Sequence, residues 1–242
     1  MQPYFFPYLG YFQLIGAVDT FVVHDRVKYV KKGWINRNRI LQNGQDALIS
    51  LPLRHGSDTL AISEREVAAD FDSAKLVNRI TEAYRKAPCF ADTMPLVERI
   101  LLTRESNLFA WLVGSLRAVC DHLGIATPFV PASSLSVDPA LKGQDLVLAL
   151  CRAGGADAYL NPPGGVELYT PDAFRAIGME LCFLRMQPWT YAQFGAPFVP
   201  SLSIIDVMMF NPLPVVRERI AHGYELFLPE VKTTGGGQTH RT

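Results

Sequence analysis

The run RVKYVKKGWINRNR, residues 26–39, carries Arg26, Lys28, Lys31, Lys32, Arg37 and Arg39 with no carboxylate among them. Cations at this density suit a phosphate, to which arginine offers paired donors and lysine a point charge. Lys31, Lys32, Arg37 and Arg39 are therefore candidate phosphate ligands, and Trp34 offers a face on which a base can stack. The ordinary alternative is a solvated hairpin. Asn36 and Asn38 weigh against it, because one Trp, two Asn and two Arg in six residues leave few helix or strand formers.

Three further places hold acids or amides suited to chemistry. Thr20–His24 reads as a buried strand, which puts His24 and Asp25 at its C-terminal end, where ligands bind in open α/β sheets. His24 is a candidate general base and Asp25 a candidate anchor for an ammonium. Strand alternation admits only one of the two to a site, and Asp25 is favoured. In YLNPPGGVELY, Gly164 and Gly165 let backbone approach a ligand, while Asn161, Glu167 and Tyr169 can orient an amine or hydroxyl. Turn geometry explains the glycines and prolines equally well but gives no reason for Asn161 or Glu167. Asp206 lies in the apolar run SLSIIDVMMFN, either as a base or amine anchor, or as a structural acid receiving backbone N–H groups beside Ser201 or Ser203.

Other chemistries find less support. There is no G-x-S-x-G elbow, and Cys89, Cys120, Cys151 and Cys182 are spread without C-x-x-C spacing or a nearby histidine. They read as buried thiols in a reducing cytoplasm, and no metal is expected. His55, His122 and His222 are isolated, and His240 falls in the polar, Gly-rich tail.

The elements that must position these residues follow from pattern. Two prolines, Gly10 and six aromatics make the first twelve residues a loop, with a short helix over Phe12–Ala17 after it. Asn43-Gly44 predicts a hairpin between Ile40 and Leu53. From Asp72 to Leu123 the pattern is helical, clearest at Leu108, Trp111, Leu112, Leu116, Val119, Cys120 and Leu123, with Ser106 or Asn107 as cap and Gly124 as stop. Residues 127–185 read β-α-β-α-β. The expected fold is α/β: a mainly parallel open sheet with helices on both faces and a helical insertion at 72–123, in one domain over 1–230. Residues 231–242 are expected to be disordered.

With 242 residues, 49% of them hydrophobic, the chain can bury a sizeable core. Lys+Arg and Asp+Glu balance at 23 each, which argues against a broad nucleic-acid-binding face. No basic lead with an uninterrupted apolar core marks a secretory signal, and no window resembles a membrane span, so a cytoplasmic protein is expected.

The segments MQPYFFPYLGYFQLIGAVDTFVVHD, KKGWINRNRI, YLNPPGGVELY and SLSIIDVMMFN resemble the WbqC-like family, bacterial proteins associated with surface-polysaccharide (O-antigen) and related small-molecule biosynthesis. In that family the QPYFFP motif follows a few apolar residues, so the resemblance implies that a first strand precedes Met1 and that Gln2, Tyr8 and Tyr11 belong to a strand-to-helix ligand loop. The order of elements is also similar to the opening of nucleotidyltransferases and class I aminoacyl-tRNA synthetases (the HUP-like fold). Tyr8 and Tyr11 stand where those proteins carry histidines, which keeps stacking and hydrogen bonding but removes a cationic donor. The implied function is a transferase or ligase that joins a small acyl or aminoacyl group to an amine, on a nucleotide-linked amino sugar or a related phosphate-bearing intermediate. The donor is activated by ATP or arrives activated, an aminoacyl-tRNA included. A non-catalytic nucleotide- or nucleotide-sugar-binding accessory protein is the alternative.

Overall fold

A computed structural model describes residues 1–195 and 197–228. In chain order the elements begin with α1 (Leu9–Gly16), β1 (Phe21–Val23), β2 (Arg37–Gln42), β3 (Gln45–Ser50), α2 (Ser73–Tyr84), α3 (Phe90–Leu101), α4 (Leu108–Leu123) and β4 (Phe129–Pro131). They continue with α5 (Gly143–Ala153), β5 (Ala158–Asn161), α6 (Pro171–Arg175), β6 (Glu180–Met186), α7 (Ile204–Phe210), α8 (Leu213–His222) and β7 (Tyr224–Phe227). The chain divides into two compact units, Met1–Ser136 with Met186–Tyr224, and Val137–Arg185 with the residues from Glu225 onward. The segment 231–242, where disorder is expected, lies outside the described residues.

In the first unit, β1 pairs in parallel with β4, Phe21 opposite Phe129. The antiparallel β2–β3 hairpin closes with Gln42 opposite Gln45, so its loop is the two residues Asn43 and Gly44. Both have positive φ, +54° and +74°, as a type I′ turn requires. The region 72–123 is helical. Asn107 caps α4 by accepting from the Ala110 amide at 3.0 Å, and Gly124 ends it in the left-handed conformation at φ +75°. The apolar stripe of α4 is buried, Leu108 and Leu112 completely.

The second unit carries the sheet β5–β6–β7, with β5 and β6 parallel and Ala158 opposite Glu180. Its core is Val147, Phe174, Met179, Leu181 and Phe183, with Tyr159, Val166 and Tyr169 packed against it.

The α/β class therefore holds, but among the described residues the strands fall into small sheets of two, two and three rather than the expected single open sheet. The predicted β-α-β-α-β run places its first strand, β4, beside β1 and its other two in a separate sheet. The physical reason is local burial. Leu181 and Phe183 of β6 bury against Val147 and Phe174 in a core of their own.

Candidate functional site

The aromatic N-terminus is packed, and its backbone is held at both ends. The Met1 amine donates to the Val22 carbonyl at 2.7 Å and the His24 amide donates to the Met1 carbonyl at 2.8 Å, the bond pattern of a strand parallel to β1. Chain direction then carries Gln2 and the residues after it past the C-terminal end of β1. The Tyr11 hydroxyl donates to the Gln2 carbonyl at 2.7 Å, and the Tyr4 and Tyr11 rings lie 5.4 Å apart. Phe5 and Phe6 are fully buried against Trp111, whereas Tyr8 is 38% exposed. The Tyr8 ring folds over Gly10, where a Cβ would come within 2.5 Å of it.

Asn38 clamps this loop. Its side-chain amide donates to the carbonyls of Phe5 and Phe6 at 3.0 and 2.7 Å, while its oxygen accepts from the Arg39 amide. The Ser203 hydroxyl adds a second bond to Phe6 and the Ile204 amide one to Pro7. Phe6 is thereby held at φ +42°, a conformation costly for a residue with a side chain. The buried amide of Asn38 is committed to the loop.

Asp25 is 6% exposed at the end of β1. One carboxyl oxygen accepts from the Ser133 amide at 3.1 Å, in the 3-10 turn Ala132–Ser134 that follows β4. The carboxyl group thus sits between the C-terminal ends of two parallel strands, the usual ligand edge of a parallel sheet. His24 beside it has its pKa lowered to about 4, chiefly by burial and then by the Met1 ammonium, with Asp25 opposing. Its imidazole is neutral at physiological pH and can accept a hydrogen bond from a substrate.

From Asp25 the chain bends through Val27 and then lies against residues 60–63, with Lys28 bridged to Ala61. Ser63 and Ile62 amides donate to Asp25 and Val27 carbonyls, and the Tyr29 amide donates to Leu60, each at 3.0 Å. Tyr29 then enters a cleft of about 250 Å³ with Lys31, Asn36, Leu53, Arg54, His55, Gly56 and Arg65. Four residues span at most ~14 Å even when fully extended, so Asp25 and the cleft lie within reach of one small molecule.

Within the basic run only Tyr29, Lys31 and Asn36 line this cleft. Lys31 pairs with Asp58 at 2.6 Å, and Asn36 accepts from the Tyr29 hydroxyl at 2.7 Å while donating to the Leu51 carbonyl. Arg37 turns back on its own loop, donating to the carbonyls of Gly33 and Lys32. Arg39 pairs with Asp46 at 3.1 Å and stacks over exposed Trp34 at 5.4 Å. Lys32 is exposed. Arg54, His55, Arg65 and Ser133 lie outside every motif that the sequence singles out. Their only signal is a further basic pair, Arg54-His55, ahead of Gly56.

Asp206 is completely buried on α7. It accepts from the hydroxyls of Tyr84 and Tyr191 at 2.8 and 2.6 Å and from the Gln193 amide at 2.9 Å. Burial raises its pKa, and the three donors oppose that rise. The Tyr84 hydroxyl in turn accepts from the Leu41 amide. The arrangement ties α7, α2, β2 and the 190s loop to one carboxyl group.

In the second unit, Asn161 is buried beneath Gly165, where a Cβ would approach its Nδ2 to 2.3 Å. The hydroxyls of Tyr159 and Tyr169 are 3.2 Å apart, and burial, with Tyr169 adding to it, pushes the Tyr159 pKa up. Gly164 and Glu167 are exposed on the 3-10 turn Pro163–Leu168. Among the described residues no cluster of three metal-ligating side chains occurs.

With this geometry in place, comparison with known proteins decides the kinship. The family model described as the WbqC-like protein family matches residues 2–218. The chain belongs to the WbqC-like protein family. This WbqC-like protein is 29% identical over 215 residues to the uncharacterized protein Rv1507c of Mycobacterium tuberculosis, an alignment covering 87% of the chain and 91% of that relative. No solved structure matches it. None of its described helices is long and apolar enough to cross a membrane.

Proposed function

We propose that this WbqC-like protein is a biosynthetic transferase or ligase that joins a small acyl or aminoacyl group to an amine of a nucleotide-linked amino sugar or a related phosphate-bearing intermediate. The observation that carries the reading is the placement of Asp25. It lies at the C-terminal edge of the β1–β4 pair, four residues along the chain from a cationic cleft. A substrate whose phosphate enters the cleft can present an amine to the Asp25 carboxyl group.

The reaction requires that an ammonium lose a proton before its nitrogen attacks an acyl carbonyl. β1 ends at Val23, so strand alternation does not separate the two residues: Asp25 orients the ammonium, and the neutral His24 imidazole, which feels the Asp25 carboxyl group, is the acceptor. A base of pKa about 4 is weak, and a substrate phosphate nearby shifts it toward neutrality by favouring the imidazolium. The acyl donor is either activated with ATP in the same site, releasing pyrophosphate, or delivered activated, aminoacyl-tRNA included. As the C–N bond forms, the bond from the acyl carbon to its activating group breaks and that group leaves as AMP, or as tRNA or another carrier. The parallel pairing of Met1 with β1, followed by the loop and α1, supports a nucleotidyltransferase-like arrangement of this part of the chain.

Asp206 favours a second reading. This acid is saturated with donors inside the protein, and a non-catalytic nucleotide-sugar-binding protein needs nothing more from it. Incubation of the full chain with a nucleoside-diphosphate amino sugar, ATP and a pool of amino and carboxylic acids, followed by mass spectrometry of the sugar, separates the two. The transferase reading predicts an acylated product that Asp25→Asn reduces by at least about 100-fold. Binding of the sugar nucleotide without a product under any donor supports the accessory protein instead.

A further inference from the structure

Arg65 is 6% exposed, and among the described residues no carboxylate forms an ion pair with it. Two of its nitrogens donate to backbone carbonyls, Nη1 to Ser57 at 3.2 Å and Nη2 to Arg54 at 3.3 Å, while buried Nε has no acceptor. A guanidinium cannot discharge itself by losing a proton, and an uncompensated buried charge is costly. Its counter-charge is therefore expected from outside the chain. Neither nearby acid pairs with it: Asp58, whose pKa Arg65 helps to lower from a distance, is held by Lys31 at 2.6 Å and Glu66 by Arg54 at 2.7 Å, both on the exposed surface.

Beside these two ion pairs, the charged groups acting on Tyr29 are cations. Arg65 lies over the Tyr29 ring at 4.9 Å, and Arg65, Arg37 and Lys31 together oppose the rise that burial causes in the Tyr29 pKa. Gly56 lets the loop 53–57 close on the guanidinium, since a Cβ there would come within 3.1 Å of Arg65 Nη1 and of Leu60. The cleft's volume of about 250 Å³ is below the ~300–1,000 Å³ of sites that enclose a whole drug-sized ligand. It suits one charged group of a larger molecule.

We propose that this cleft is the binding site for the phosphate or diphosphate group of the substrate, with Arg65 as its buried cationic floor and Arg54, His55 and Lys31 at its mouth. The assignment deepens the reading that the chain acts on a phosphate-bearing molecule and moves phosphate recognition away from Arg37 and Arg39. Tyr29 and Asn36, already hydrogen-bonded to each other, form a fixed wall, so the site needs little reorganisation to receive an oxyanion.

Isothermal titration of the full chain with inorganic pyrophosphate, UDP and ADP tests the proposal. All three are expected to bind, more weakly as salt is raised. Arg54→Gln should weaken binding about fivefold to tenfold, and Arg65→Met should abolish it while leaving the ligand-free melting temperature unchanged or higher, because it removes a buried unpaired charge. If Arg65→Met fails to fold, Arg65→Lys replaces it, with an expected loss of at least tenfold because lysine cannot form the fork. Binding of pyrophosphate without the nucleotides keeps the anion site and assigns it to a free inorganic anion. Absence of all binding by the wild-type chain, or affinity unchanged in both Arg54→Gln and the Arg65 variant, overturns it. Product formation by a chain that binds no pyrophosphate removes the cleft and leaves the transferase reading standing; pyrophosphate binding without product does the reverse.

Discussion

Asn38 donates to the Phe6 carbonyl at 2.7 Å across thirty-two residues of sequence, and so fixes the aromatic loop to strand β2. The same amide holds Phe5, whose carbonyl has no other side-chain donor among the described residues. Asn38→Ala should therefore leave a buried acceptor unsatisfied and cost about 1–3 kcal/mol. Urea unfolding measures it directly. A loss below about 0.5 kcal/mol would show that the loop holds itself without the clamp.

Phe6 combines complete burial with φ +42°. Truncation to alanine removes its packing on Trp111, at about 3–5 kcal/mol, and keeps the left-handed strain. Phe6→Gly loses the same packing but relieves strain worth about 1–2 kcal/mol. The glycine variant is expected to be the more stable of the two, the reverse of the order in helices and strands. Denaturation midpoints of the pair decide it.

His24 links stability to pH. Its pKa falls from an ordinary 6.5 to about 4 in the folded chain. A base depressed on folding contributes fully above pH 6.5, and that contribution is lost as pH falls toward 4, because the unfolded state takes up its proton first. The difference of about 2.5 units corresponds to about 3 kcal/mol. Wild-type stability should drop through this window, and His24→Gln should flatten the drop.

Asp206 has the opposite sign. Burial raises its folded pKa, so its contribution is present below the ordinary carboxylate value and is lost as pH rises through the raised one. Asp206→Asn turns one acceptor into a donor facing Tyr84, Tyr191 or Gln193, and should cost about 1–3 kcal/mol at acid pH. The gap between wild type and variant is expected to narrow as pH rises above 4. Unfolding at several pH values checks the trend.

What the sequence reveals about this chain is its local grammar. Asn43-Gly44 needs only positive φ at two adjacent positions, and the Asn107 cap and Gly124 stop act within one turn, so each is readable without knowledge of the fold. The end of β1 at Asp25 is legible for the same reason, as an apolar run closed by an acid. The division into three sheets is not, because β4, β5 and β6 present the same strand pattern whether they share a sheet or not. The site is hidden in a similar way. Ser133 meets Asp25 from 108 residues away. Charge density along 26–39 cannot reveal that Arg37 turns onto its own loop while buried Arg65, outside the run, keeps an Nε without an acceptor.

The measurement that bears most directly on the proposed function is amine recognition at Asp25. A nucleoside-diphosphate amino sugar and its counterpart with a hydroxyl in place of the amine should be titrated against wild type and Asp25→Asn. The account predicts that wild type binds the amino sugar at least about tenfold more tightly, the worth of one charge-assisted contact. The variant should lose that preference while still binding pyrophosphate. Equal affinity of the wild-type chain for the two sugars, or a preference that survives Asp25→Asn, would contradict it.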